Sequence, residues 1–168
     1  VISMSQDVQG EAYDYPEIFF EEKIHEIRRI HPDPNQIQKA AAKLKKSKQP
    51  IIISGGGVLY SEAEEEISTF AKKHNIPVTA TVMGIGCMNK DDPYYISAIG
   101  CLGEGSSNNL ATDTDLALAV GTKLGDFTTG SWTNFENENF QLVSINTSRF
   151  DTTKHRATPV VSDAKIGL

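Results

Sequence analysis

The chain has only two cysteines, Cys87 and Cys101, among 168 residues. They form no C-x-x-C pair and have no histidine close by in sequence, which argues against a disulfide framework and against a zinc module. Free thiols and a reducing cytoplasm are the expectation. Long apolar runs are missing too: nothing approaches the roughly 20 residues that cross a bilayer, and no basic-then-apolar signal opens the chain. Positive charge is in deficit, with 16 basic against 22 acidic side chains and a net charge of −6. That balance repels phosphate backbones and anionic membranes, so neither nucleic acid nor a membrane is expected as a partner. The four histidines, His25, His31, His74 and His155, make no H-x-x-x-H pair and stand beside no nucleophile. No self-contained catalytic centre is legible.

What is present is ordinary for one globular domain: 39% apolar and 23% charged residues. The chain opens at Val1 rather than methionine and stops at Leu168, just after Asp163-Ala164-Lys165 begins a helix. An excised domain whose C-terminal helix is cut short is the expectation. Residues 1–33 read as an irregular interdomain lead-in, turn-rich at Asp7–Gly10 and Asp14-Tyr15-Pro16. His31-Pro32-Asp33-Pro34 is a breaker, because each proline holds the residue before it extended. The compact domain is assigned to 34–168, with Asp33 as N-cap and Pro34 in the first helical turn.

Ile37, Ala40, Ala41 and Leu44 follow the spacing of one buried helical face, and Lys39, Lys43, Lys45, Lys46 and Lys48 occupy solvated ones. Ile51-Ile52-Ile53 is a β-branched run without alternation, as in a parallel strand buried on both sides. Ser61 and Glu64 form a capping box for a helix whose apolar face is Ile67, Phe70 and Ala71. Further strands are predicted at 76–80, 116–120, 141–145 and 159–161, with a short helix over 106–111. Strands alternating with helices require right-handed crossovers. The predicted fold is therefore α/β: a Rossmann-like, doubly wound parallel sheet of about six strands with helices on both faces.

Gly55-Gly56-Gly57 stands between a strand and a helix, where glycine lets a backbone approach a phosphate or simply makes a tight turn. It is neither G-x-G-x-x-G nor a P-loop. Gly100–Gly105, Gly121–Asp126 and Asn146–Arg149 fall at other strand ends, so all four segments meet on the rim where open α/β sheets bind ligands. Lys123 and Asp126 there would orient a polar ligand or pair with each other. Gly125-Asp126-Phe127 is rejected as a metal motif because its third residue is Phe. Trp132, the single tryptophan, lies in a loop that either docks on another domain or anchors itself locally.

Taken in order, 50–57, 76–79 with 83–86, 100–103, 115–126 and 142–146 resemble the central domain of thiamine-diphosphate-dependent enzymes, the acetolactate-synthase-like superfamily. Two stretches, 6–16 and 125–135, are similar to the trihydroxycyclohexanedione hydrolases of inositol breakdown within it. The resemblance implies a three-domain parent that hydrolyses a C–C bond of a cyclic diketone. Flanking domains would hold thiamine diphosphate and Mg²⁺, so no catalytic residue is assigned here. It also implies a homo-oligomer, dimer or tetramer, and an ADP-containing nucleotide contacting Gly55, Gly56, Gly57, Gly103 and Lys123. Relatives usually carry arginine at the position of Lys123 and acids where this chain has Asn146-Thr147-Ser148, which points to an altered site. The rivals are a free-standing nucleotide-binding or deacetylase-like Rossmann module, and the middle domain of an acetolactate-synthase-type lyase or transferase.

Overall fold

The computed structural model describes residues 2–168. The lead-in holds a one-turn helix, α1 (Gln6–Gln9), and a 3₁₀ turn at Glu17–Phe20, neither with a buried residue. Tyr13, Tyr15, Phe19 and Phe20 pack on one another with ring centroids 4.8–6.2 Å apart, yet stay exposed. Contact with the body begins at Arg29 and Ile30. The Arg29 guanidinium donates to both carboxylate oxygens of Asp163 (3.0 and 3.2 Å) and to the Ser61 carbonyl (2.6 Å), and the Ile30 carbonyl accepts from the Asp163 N–H (2.9 Å).

Helix α2 (Pro34–Leu44) starts as the sequence predicts: the Asp33 carboxylate accepts from the Asn35 and Gln36 N–H groups, and Pro34 fills the first turn. Of the expected apolar face, Ile37, Ala40 and Leu44 pack on the core, whereas Ala41 is exposed. Strand β1 (Pro50–Ser54) follows, with Ile51, Ile52 and Ile53 fully buried.

The chain then turns at once into a short helix, α3 (Gly56–Tyr60), and Ser61 closes it. The predicted capping box does not form. The Ser61 hydroxyl donates to Asp163 instead (2.9 Å), and α4 (Glu64–His74) begins at Ala63 without a side-chain cap. Glu64, Glu65 and Glu66 in the first turn of α4 complement its dipole in place of the cap. A buried carboxylate contributed from over 100 residues away outcompetes a local backbone partner. Ile67 and Ala71 of α4 are buried as expected.

Strand β2 (Val78–Ala80) is followed by β3 (Tyr95–Ala98), a strand not predicted from sequence. It is a half-buried edge strand of four residues, too short to show a period. Then come α5 (Gly105–Asp113), β4 (Leu116–Val120), α6 (Asp126–Thr129), β5 (Gln141–Asn146), α7 (Arg149–Thr153), β6 (Thr158–Val161) and α8 (Ala164–Gly167), capped by Asp163. All five strand pairings are parallel, in the order β3-β2-β1-β4-β5-β6. The predicted six-stranded, Rossmann-like sheet is the observed one.

Two apolar layers sandwich it. One joins Ile52, Val78, Leu118, Val143 and Ile145 to α2, α4 and α8; the other joins Ile51, Ile53, Ala117 and Leu142 to α5 and the aromatic loop after α6. In that loop Trp132 packs locally against Phe135 and His155, at 5.6 and 4.3 Å, and stays partly exposed. No described helix is long and apolar enough to cross a membrane.

Candidate functional site

Strand order reverses between β1 and β4, the place where open α/β sheets form a ligand crevice. A cleft of about 570 Å³ opens there, over the carboxyl ends of the strands. Gly56 and Tyr60 from α3, Thr81–Met83 after β2, Leu102 after β3, and residues 121–123 and 125–128 after β4 line it. Three of the four predicted rim segments thus contribute. Asn146–Arg149 does not. Asn146 braces the wall from behind, donating to the Thr122 carbonyl (3.2 Å) and accepting from the Ser148 N–H (2.9 Å).

The five residues the resemblance points to divide sharply. Gly56 and Lys123 line the cleft. Gly55 and Gly57 face the turn after β4. Their N–H groups donate to the Val120 and Gly121 carbonyls (2.8 and 2.9 Å), so they are not available to cradle phosphate. A Cβ on Gly57 would lie 2.6 Å from the Gly121 Cα, and one on Gly55 would lie 2.5 Å from the Thr122 Cβ. Gly121 itself has φ +62°, a conformation glycine adopts without penalty. These three glycines let two βα turns touch through their backbones. Gly103 likewise packs on its own strand end, where a Cβ would meet Ile99 at 2.6 Å, and its neighbour Leu102 faces the cleft.

The chemistry of the lining is mostly apolar. Tyr60, Val82, Met83, Leu102 and Phe127 are all exposed at its walls. Lys123 and Asp126 make no ion pair among the described residues; Lys123 is instead near enough to Asp151 to help hold its carboxyl low, behind the larger effect of the Lys154 ammonium at 2.7 Å. Among the described residues, no nucleophile–base pair faces the cleft. Burial pushes the Cys87 thiol up, away from thiolate, and Cys101 is exposed; both are free. Burial and Lys154 push His155 down, against the pull of Asp126. No group of three or more His, Cys, Asp or Glu among the described residues could hold a metal ion. Among the described residues that line the cleft, Asp126 is the one carboxylate, and there is no cysteine or histidine.

Residues 37–168 match the family model described as the thiamine pyrophosphate enzyme central domain. The chain belongs to that family. It is 42% identical over 167 residues to a 3D-(3,5/4)-trihydroxycyclohexane-1,2-dione hydrolase of Clostridium tetani and 40% identical over 167 to one of Bacillus cereus. Each match covers 99% of this chain and 26% of the relative, so the chain spans about a quarter of their length. Among solved structures, benzoylformate decarboxylase from Polynucleobacter necessarius superposes with a TM-score of 0.64 at 23% identity, covering 88% of this chain and 29% of that one. The latter supports the fold. As a thiamine pyrophosphate central domain, the chain has a crevice in the expected place whose walls are apolar and whose glycines are mostly structural. The residues missed from sequence, Tyr60, Val82, Leu102 and Phe127, carried a readable signal: large apolar side chains in turns just beyond strand ends.

Proposed function

We propose that this chain is the central, non-catalytic domain of a thiamine-diphosphate-dependent enzyme that hydrolyses a C–C bond of trihydroxycyclohexane-1,2-dione in inositol breakdown. One observation carries the reading: the identity to hydrolases of that name runs through 99% of the chain, lead-in included, rather than through the family-matched region alone. Thiamine diphosphate and Mg²⁺ would be held by flanking domains in a cytoplasmic homo-oligomer. The role of this domain is to set the spacing and orientation of its neighbours. Calorimetry tests the division of labour: thiamine diphosphate with Mg²⁺ should bind the full-length protein and give no heat with residues 1–168. Stoichiometric binding to the shorter chain would sink it.

The cleft supports a second, narrower reading, in which it takes the phosphate end of an ADP-containing molecule. Gly56 and Lys123 on its wall favour this. With Gly55, Gly57 and Gly103 committed to packing and no acid on the rim at Asn146-Thr147-Ser148 for a ribose, affinity should be weaker than about 1 μM. Gly56→Val, with folding checked by circular dichroism, should abolish ADP-induced amide shifts. Shifts that leave Gly56 and Lys123 untouched would remove the site.

A further inference from the structure

Helix α3 ends on a residue poorly suited to its backbone. The Glu62 N–H donates to the Leu59 carbonyl and the Ala63 N–H to the Val58 carbonyl, both at 3.0 Å. These are the paired bonds of a Schellman closure, which puts the residue after the C-cap in the left-handed region. Glycine is the usual occupant. Here it is Glu62, at φ +54°, where a Cβ crowds the following carbonyl. Helix α4 ends in the same conformation, on Asn75 at φ +54°, but asparagine tolerates it.

The strained closure is held from outside the helix. The Ser61 carbonyl accepts from the Arg29 guanidinium (2.6 Å), and the Glu62 carbonyl accepts from the Lys165 ammonium (2.9 Å). Arg29 also lies 3.8 Å from the Glu62 carboxylate. Asp163 accepts from both Arg29 and the Ser61 hydroxyl, which fixes the guanidinium over the end of α3. Lys165 belongs to α8, within the domain body. Arg29 belongs to the lead-in, and no described residue before it makes a hydrogen bond or ion pair to the body. Helix α3 has only five residues, and its Gly56 and Tyr60 line the cleft. The end that Arg29 holds is therefore bonded directly to the cleft wall.

We propose that Arg29 is a positioning residue that couples the lead-in to the cleft through the strained cap of α3. With the guanidinium seated on Ser61 and Asp163, the cap is closed and the wall at Gly56 and Tyr60 is set. With the lead-in drawn away, the Ser61 carbonyl loses its donor, Glu62 leaves the left-handed region and the wall loosens. A displacement of the lead-in is thus felt at the cleft, about 8 Å along the helix at 1.5 Å per residue. By linkage, a ligand that fixes Gly56 and Tyr60 tightens the hold on Arg29 by the same factor. The coupling holds whatever the cleft takes, and it does not rest on the hydrolase reading.

Hydrogen exchange of residues 56–63 in the full-length protein tests the proposal, with residues 50–54 of β1 as the internal reference. Arg29→Gln removes charge-assisted hydrogen bonds and should speed exchange of 56–63 about tenfold or more, leaving 50–54 unchanged. Glu62→Gly should slow it about fivefold, because glycine takes a positive φ without crowding. With glycine at 62 the cap closes unaided, so adding Arg29→Gln should then speed exchange by only about threefold or less. That rescue separates a strained cap from a general loss of packing, which glycine would not mend. Unchanged exchange of 56–63 in Arg29→Gln overturns the proposal. So does a Glu62→Gly substitution that speeds exchange, or one that leaves the effect of Arg29→Gln at full size.

Discussion

Ile51, Ile52 and Ile53 are fully buried in β1, whereas Tyr60, Leu102 and Phe127, each a few residues beyond a strand end, are 82%, 70% and 72% exposed. The same class of side chain thus serves two regions differently. In the sheet the isoleucines are removed from water, Ile52 on one face and Ile51 and Ile53 on the other, and each contributes roughly 1.5–3 kcal/mol. On the rim, large apolar groups surround a cleft and bury little in this chain. The contrast teaches that the domain's stability resides in the sheet and its turn packing, while its rim is free to serve an interface or a ligand.

Substitutions can break or sharpen that contrast. The largest effect is expected at Gly57→Val, which drives a side chain into the Gly121 backbone; with no flexible group to yield, a loss of about 3 kcal/mol or more should appear as a lower urea midpoint. Ile52→Ala should cost about 2–5 kcal/mol by the same measurement. Asp163→Ala removes the acceptor of Arg29 and Ser61 and the cap of α8, and should cost about 2 kcal/mol while loosening the lead-in at Arg29 to proteolysis. Leu102→Ala and Phe127→Ala should each change stability by less than about 0.5 kcal/mol. A rim truncation as costly as Ile52→Ala would erase the distinction between the two regions.

A smaller, pH-dependent effect belongs to the amino end of the sheet. Burial pushes the Asp115 carboxyl up, but the N–H groups of Lys48 and Gln49 (2.8 and 3.1 Å) and the Ser47 hydroxyl together hold it below the ordinary value. A carboxyl lowered in the folded state stabilises fully above its unfolded pKa and stops doing so as pH falls through the folded one. Stability from this group should therefore be constant above about pH 5 and fall below about pH 4. Asp115→Asn should flatten that part of the acid-unfolding curve. An unchanged curve would show that the three donors do not favour the ionised form.

Much of the fold was legible because β-branched runs such as Ile51–Ile53 and the all-apolar 116–120 have no stable place outside a doubly covered parallel sheet. Strand β3 was not, since four half-buried residues carry no period. The capping box at Ser61 and Glu64 failed because its serine had a better partner far along the chain, which no local pattern encodes. At the candidate site, the glycine triad did signal a close backbone approach. What approaches could not be read: Gly121, on a turn more than 60 residues later, fills the space near Gly55 and Gly57 that a phosphate would need.

The most direct test of the proposed function is turnover of the full-length protein on trihydroxycyclohexane-1,2-dione with thiamine diphosphate and Mg²⁺ added or withheld. Hydrolysis of the bond between the two carbonyls adds one water and leaves an open chain with a new carboxylic acid and an aldehyde, so proton release in a pH-stat follows it. Acid formation should require both additions and be absent from residues 1–168 alone. Cofactor-dependent consumption of a 2-keto acid with carbon dioxide release, and no ring opening, would contradict it.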